Sequence, residues 1–99
     1  MYLCSRKKAR QVEFEFDNDK SVSNEAKHGI NFVDAQKLWT GDVLEQLTQY
    51  PDEERYLNIG NIDGKFWTAV ITYRESVTRI ISVRRARKQE VLDYVESIS

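Results

Sequence analysis

Lys65-Phe66-Trp67-Thr68-Ala69-Val70-Ile71-Thr72-Tyr73 is the most apolar stretch of the chain. Its apolar residues stand at odd and even positions alike, so a strand built there needs cover on both faces and belongs in the middle of a sheet. Turn residues flank it, at 61–64 before and at 74–76 after. Short turns join antiparallel neighbours. Residues 55–62 therefore read as the preceding strand, with Leu57 and Ile59 facing together, and 77–83 as the following one. One strand further out, 43–49 sets Val43, Glu45, Leu47 and Gln49 on one side, and Pro51 with Asp52, Glu53 and Glu54 forms the connection back.

Ahead of this sheet, Val12, Phe14 and Phe16 alternate with Glu13 and Glu15, the pattern of a half-buried strand. Asp17 or Asn18 then caps a helix whose apolar face is Val22 and Ala26, with Gly29 as its left-handed stop. A second helix is expected from Asn31, with Asp34 three residues on in a loose capping box, presenting Phe32, Ala35, Leu38 and Trp39 to the core before Gly41. At the other end Val91, Tyr94, Val95 and Ile98 recur at helical spacing. The expected fold is α+β: an N-terminal strand, two helices, an antiparallel sheet and a C-terminal helix.

A chain of 99 residues, 40% of them hydrophobic, supports one core and not two. Residues 1–11 read as a flexible basic leader and 12–99 as a single domain. Fifteen Lys and Arg against sixteen Asp and Glu leave no net charge to draw nucleic acid, so any such surface has to be local. Cys4 is the lone cysteine, which excludes an intramolecular disulfide and a Cys/His zinc pattern and suits the cytoplasm. No apolar run reaches the roughly 18 residues of a membrane span.

Several side chains are suited to chemistry. His28, the only histidine, falls in the last turn of the first helix beside Lys27, where it either satisfies terminal carbonyls or serves as an acid or base near neutral pH. Glu54 and Arg55 stand where an acidic turn enters a strand. By strict alternation Arg79 shares a side of the last strand with Val77, Ile81 and Val83, and needs an anion there: a carboxylate such as Glu54, or a ligand phosphate. Arg84 falls on the opposite side, with Thr78, Ile80 and Ser82. Arg84, Arg85, Arg87 and Lys88 crowd the start of the terminal helix, against its dipole, so an anion should compensate them. Tyr73 and Arg74 end the central strand, as a plain hairpin end or as groups that meet a base and a phosphate.

Four stretches in order, Phe14-Glu15-Phe16-Asp17, Asn24 with Lys27-His28-Gly29-Ile30, Glu54-Arg55 with Ile59-Gly60, and Arg79-Ile80-Ile81-Ser82-Val83-Arg84-Arg85-Ala86, resemble the BrnT toxin family. The resemblance runs from about Val12 to Tyr94. Phe16 departs from the family's usual Trp, Asp52-Glu53 from Gly-Glu, and Val83 from Ala. The resemblance implies a RelE-like fold, a toxin endoribonuclease that arrests growth by cutting RNA, and neutralisation by a BrnA-type antitoxin whose DNA-binding domain represses the shared operon. It also implies that Lys27, His28, Glu54, Arg55, Arg79 and Arg84 surround one surface. Glu54 is then the base and His28 the acid, or the reverse. Arg79, Arg84 and Lys27 are phosphate clamps, Arg55, Arg74 and Arg85 further RNA contacts, and Tyr73 a stacking platform, with neither metal nor cofactor. The rival reading is a non-catalytic module that binds protein or nucleic acid through Arg84, Arg85, Arg87 and Lys88.

Overall fold

A computed structural model describes residues 13–48 and 54–99. The basic leader and the residues Gln49 to Glu53 of the acidic connection lie outside the described residues. The elements are β1 (Phe14–Glu15), α1 (Asn18–His28), a 3₁₀ helix (Asp34–Thr40), β2 (Leu44–Leu47), β3 (Tyr56–Ile62), β4 (Lys65–Arg74), β5 (Val77–Arg85) and α2 (Lys88–Ile98). They form an α+β domain on one five-stranded sheet of order β1-β5-β4-β3-β2, and β4 takes the middle place its composition demands. Asp63 and Gly64, both at positive φ, make the two-residue turn between β3 and β4.

Four features depart from the expectations. The sheet is mixed, because β1 runs parallel to β5 and only the other pairs are antiparallel. The second helix is 3₁₀ and starts at Asp34. Asn31 still bonds across it, its Oδ1 accepting from the Asp34 N–H at 2.7 Å and its Nδ2 donating to Asp34 Oδ2 at 3.2 Å. Val22 and Ala26 do not face the core: Val22 is 69% exposed, while Ser21 and Asn24 are buried. Helix α1 is held by hydrogen bonds instead. Ser21 Oγ accepts from the Phe32 N–H, and Asn24 accepts from the Val83 N–H while donating to the Val83 and Ile30 carbonyls. β1 is too short to pair the whole of β5, and the Asn24 carboxamide presents a peptide-like donor and acceptor further along it.

The fourth departure is a β-bulge in β5. Val70 pairs with Ser82 and Ile71 with Ile80, so Ile81 is the extra residue and the alternation slips by one. Ile80 and Val83 thereby enter the same core. Arg79 and Arg84, set on opposite sides by strict alternation, come to the same face, since Thr72 opposite Arg79 and Thr68 opposite Arg84 share a side of β4.

Two unequal cores result. On one face Phe32, Ala35, Leu38 and Trp39 cover Trp67, Ala69, Ile71, Ile80 and Val83. Gly60 allows this approach, since a Cβ there would stand 2.9 Å from Leu38 Cδ1. Burying Leu38 contributes about 2 to 3 kcal/mol. On the other face α2 covers one end only, where Tyr94 packs on Leu44 and Ile59 with Phe66 and Ala86 beside them.

Candidate active site

The α2 side of the sheet carries most of the arginines singled out above. Arg79 and Arg74 lie on it by register, and Arg55, one residue ahead of the Tyr56 and Ile71 pair, joins them across Thr72. Two strand spacings put Arg55 about 10 Å from Arg79. Arg79 Nη1 meets Glu15 Oε2 at 2.8 Å, so the carboxylate beside it comes from β1 and not from Glu54. Four residues of β4 separate the Arg79 level from the Arg84 level, about 13 Å, with Val70 and Ser82 between them.

Arg84 is bound on both its terminal nitrogens by Glu90, Nη1 to Oε1 at 2.8 Å and Nη2 to Oε2 at 2.9 Å. Thr68 Oγ1 and the Arg87 N–H also donate to Glu90 Oε1. Burial alone would raise the Glu90 pKa, but the Arg84, Arg87 and Thr68 hydrogen bonds outweigh it and hold the carboxyl below its ordinary value. Glu90 lies in the first turn of α2, so part of the charge crowded there is compensated within the chain.

The remaining candidates are dispersed. Glu54 stands at the β3 end of the sheet, its carbonyl accepting from Thr72 Oγ1 at 2.9 Å. Tyr73 and Arg85 point to the opposite face, where Arg85 lies over the Trp67 ring at 5.4 Å. Lys27 and His28 occupy the last turn of α1, and Asn24, one turn earlier, is fixed to Val83. His28 thus belongs to the Val83 end of β5 and Glu54 to the Arg79 end. Among the described residues no three His, Cys, Asp or Glu side chains gather as a metal site.

Behind this face lies a polar group that the sequence does not announce. Trp39 Nε1 donates to Asn58 Oδ1 at 2.9 Å, Asn58 Nδ2 donates to Glu45 Oε1 at 3.1 Å, and the Tyr73 hydroxyl donates to the same oxygen. The Tyr73 pKa is pushed upward, by burial first and then by the bond to Glu45. The only sequence signal was Glu45 and Asn58 inside otherwise apolar alternation. Glu90 was findable as the acidic third residue of a helix, and Glu15 only once the parallel register was known.

The family described as ribonuclease toxin, BrnT, of type II toxin-antitoxin system matches residues 16–90, from the end of β1 into α2. No curated protein matched the chain. Among the described residues no helix is long and apolar enough to cross a membrane. The match takes in most of the chain, including every arginine of the α2-side face, and the chain belongs to the BrnT family of ribonuclease toxins, whose class implies an RNA target and an antitoxin partner.

Proposed function

We propose that the protein cuts RNA without a metal ion, on the α2-side face of its sheet, and that a BrnA-type antitoxin with a DNA-binding domain silences it by covering that face. The observation that carries this reading is the bulge at Ile81, which sets Arg79 and Arg84 on one face with Arg55 and Arg74. The scissile phosphate lies over Val70 and Ser82, between the two arginines. Glu54 takes the proton of the ribose 2′-hydroxyl, the 2′-oxygen attacks phosphorus, and the arginines stabilise the charge of the phosphorane. The bond to the 5′-oxygen breaks as His28 supplies its proton, leaving a 2′,3′-cyclic phosphate and a 5′-hydroxyl. Lys27, in the last turn of α1, holds the strand beyond the cut, and Arg85, turned to the opposite face over Trp67, takes no part in it. Arg79 uses one of its five donors on Glu15, so it can take a phosphate without losing that partner. The metal-free reading is supported by the scarcity of zinc ligands, one histidine and one cysteine in the whole chain, and by the scatter of the carboxylates, no three of which gather among the described residues.

The test uses purified protein freed of its antitoxin and a synthetic RNA, with and without excess EDTA. Cleavage is expected to persist in chelator, to end in a cyclic phosphate, and to stop when the 2′-hydroxyl at the cut is replaced by hydrogen. Loss of cleavage on chelation overturns the metal-free route. RNA that is bound and left whole favours the rival reading of a binding module.

A further inference from the structure

We infer that Glu90 is a positioning residue for the reaction: anchored in the first turn of α2, it holds the Arg84 guanidinium in one orientation, so that this arginine meets the reacting phosphate already in place. The inference rests on the reading of Arg84 as a phosphate clamp.

The two arginine clamps are built differently. Arg79 meets Glu15 through one nitrogen, and the Glu15 side chain is 39% exposed. Arg84 meets Glu90 through both terminal nitrogens, at 2.8 and 2.9 Å, and the Glu90 side chain is 11% exposed. A bidentate pair fixes the plane of the guanidinium as well as its distance. The carboxylate is itself held from two further directions. The wholly buried Thr68 donates its hydroxyl hydrogen to Glu90 Oε1 at 2.9 Å, and the Arg87 N–H donates to the same oxygen at 2.8 Å. Central strand and helix start thus both hold the carboxylate against which Arg84 lies.

This is more than a helix start needs. An exposed acid would cap α2 and meet its dipole equally well, and apolar residues of the same volume would serve stability as well or better than the buried pair. What the pair adds is direction. An arginine in solvent has many rotamers and loses them when it grips a phosphate. Glu90 removes that freedom during folding, so the donors stand ready when charge develops on the phosphorane. A negative charge beside a clamp weakens attraction for RNA, so orientation is the contribution Glu90 makes.

The experiment measures cleavage of one RNA oligonucleotide by the wild type, Glu90→Gln, Arg84→Ala and the double variant, each below its melting temperature. Glutamine keeps an oxygen for Thr68 and the Arg87 N–H but turns an amide N–H toward Arg84, which breaks the bidentate pair. Glu90→Gln is expected to lower kcat about 10- to 100-fold, with KM unchanged or lower because one negative charge near the RNA is gone. In the Arg84→Ala background it is expected to add nothing, since no guanidinium is left to position. A kcat at or above that of the wild type overturns the inference, and with a lower KM it makes Glu90 a competitor of RNA for Arg84. A loss that multiplies with that of Arg84→Ala overturns it too. Arg84→Ala cutting at the wild-type rate overturns instead the reading of Arg84 as a clamp. Tyr94→Phe drops the bond to the Asp42 carbonyl and leaves the Arg84 pair intact, so it separates orientation from the stability of α2. It is expected to lower Tm and keep the wild-type kcat, whereas a kcat loss equal to that of Glu90→Gln overturns the inference. Thr68→Val, which takes one donor from Glu90 at a position RNA cannot touch, carries the test should Glu90→Gln fail to fold. A smaller fall in kcat at constant KM is expected, and a wild-type kcat overturns the inference.

Discussion

The two faces of the sheet solve the problem of buried polarity in opposite ways. Behind the 3₁₀ helix, Glu45, Asn58 and Trp39 are buried in the larger core and are bonded to one another and to the half-buried Tyr73. On the α2 side the charged groups include two ion pairs, Arg79 with Glu15 and Arg84 with Glu90, which keep between a tenth and two fifths of their side-chain surface in solvent. Only the second arrangement leaves charge where a phosphate can reach it. A group closed on all sides holds shape, and a group left partly open at a sheet face is available for binding.

Three measurements sharpen or break this contrast, and the largest effect is expected on the open face. Arg79→Ala should lower RNA cleavage by about 10² to 10³, the loss typical of one electrostatic donor in a reacting site, and relieve growth arrest when the protein is expressed without antitoxin. Its effect on stability should stay within about 1 kcal/mol, because the Glu15 pair is solvent-exposed. Cleavage at the wild-type rate would remove this face from the chemistry.

On the closed face the loss falls on stability instead of on cleavage. Asn58→Ala strands the Trp39 N–H and takes one donor from Glu45, so urea unfolding should show a loss of about 3 kcal/mol. An unfolding midpoint like that of the wild type would mean that water replaces the amide and that the face is not closed.

The smallest effect is a pH dependence. Because the folded protein holds the Glu90 carboxyl below its ordinary value of about 4.3, its ion pair contributes stability that is complete above that pH and is lost as pH falls through the lowered pKa. Glu90→Gln should therefore be less stable than wild type at neutral pH and lose less on acidification. Parallel acid-unfolding curves for the two proteins would show that Arg84 does not depend on this carboxylate.

Much of the fold was legible because it is periodic. The double-sided apolarity of 65–73 gives the central strand, Asp63-Gly64 the hairpin, and Asp17 with Gly29 the limits of α1. The misreadings fall where period gives no signal. Asn24 docks α1 by its carboxamide, so the apolar stripe of this helix, Val22 and Ala26, faces solvent. The extra residue at Ile81 has no mark in composition, yet it decides which arginines share a face. Residue type and position along the chain named the candidates and the resemblance assigned their roles, whereas their distribution between the α2-side face, the edge helix and the opposite face needed the register.

The parallel pairing of β1 with β5 also fixes an order of events on the ribosome. Glu15 and Arg79 are 64 residues apart in the chain, and the partner of the first strand is the last strand to be synthesised. The hairpins joining β2 to β5 close over short loops, whereas β1 has nothing to pair with until Thr78 and Arg79 have emerged, and it must then close the longest loop in the sheet. The anchor that Glu15 gives to Arg79 is thus absent until Arg79 has emerged, and a nascent toxin cannot present its completed arginine face while its own ribosome is still translating β5.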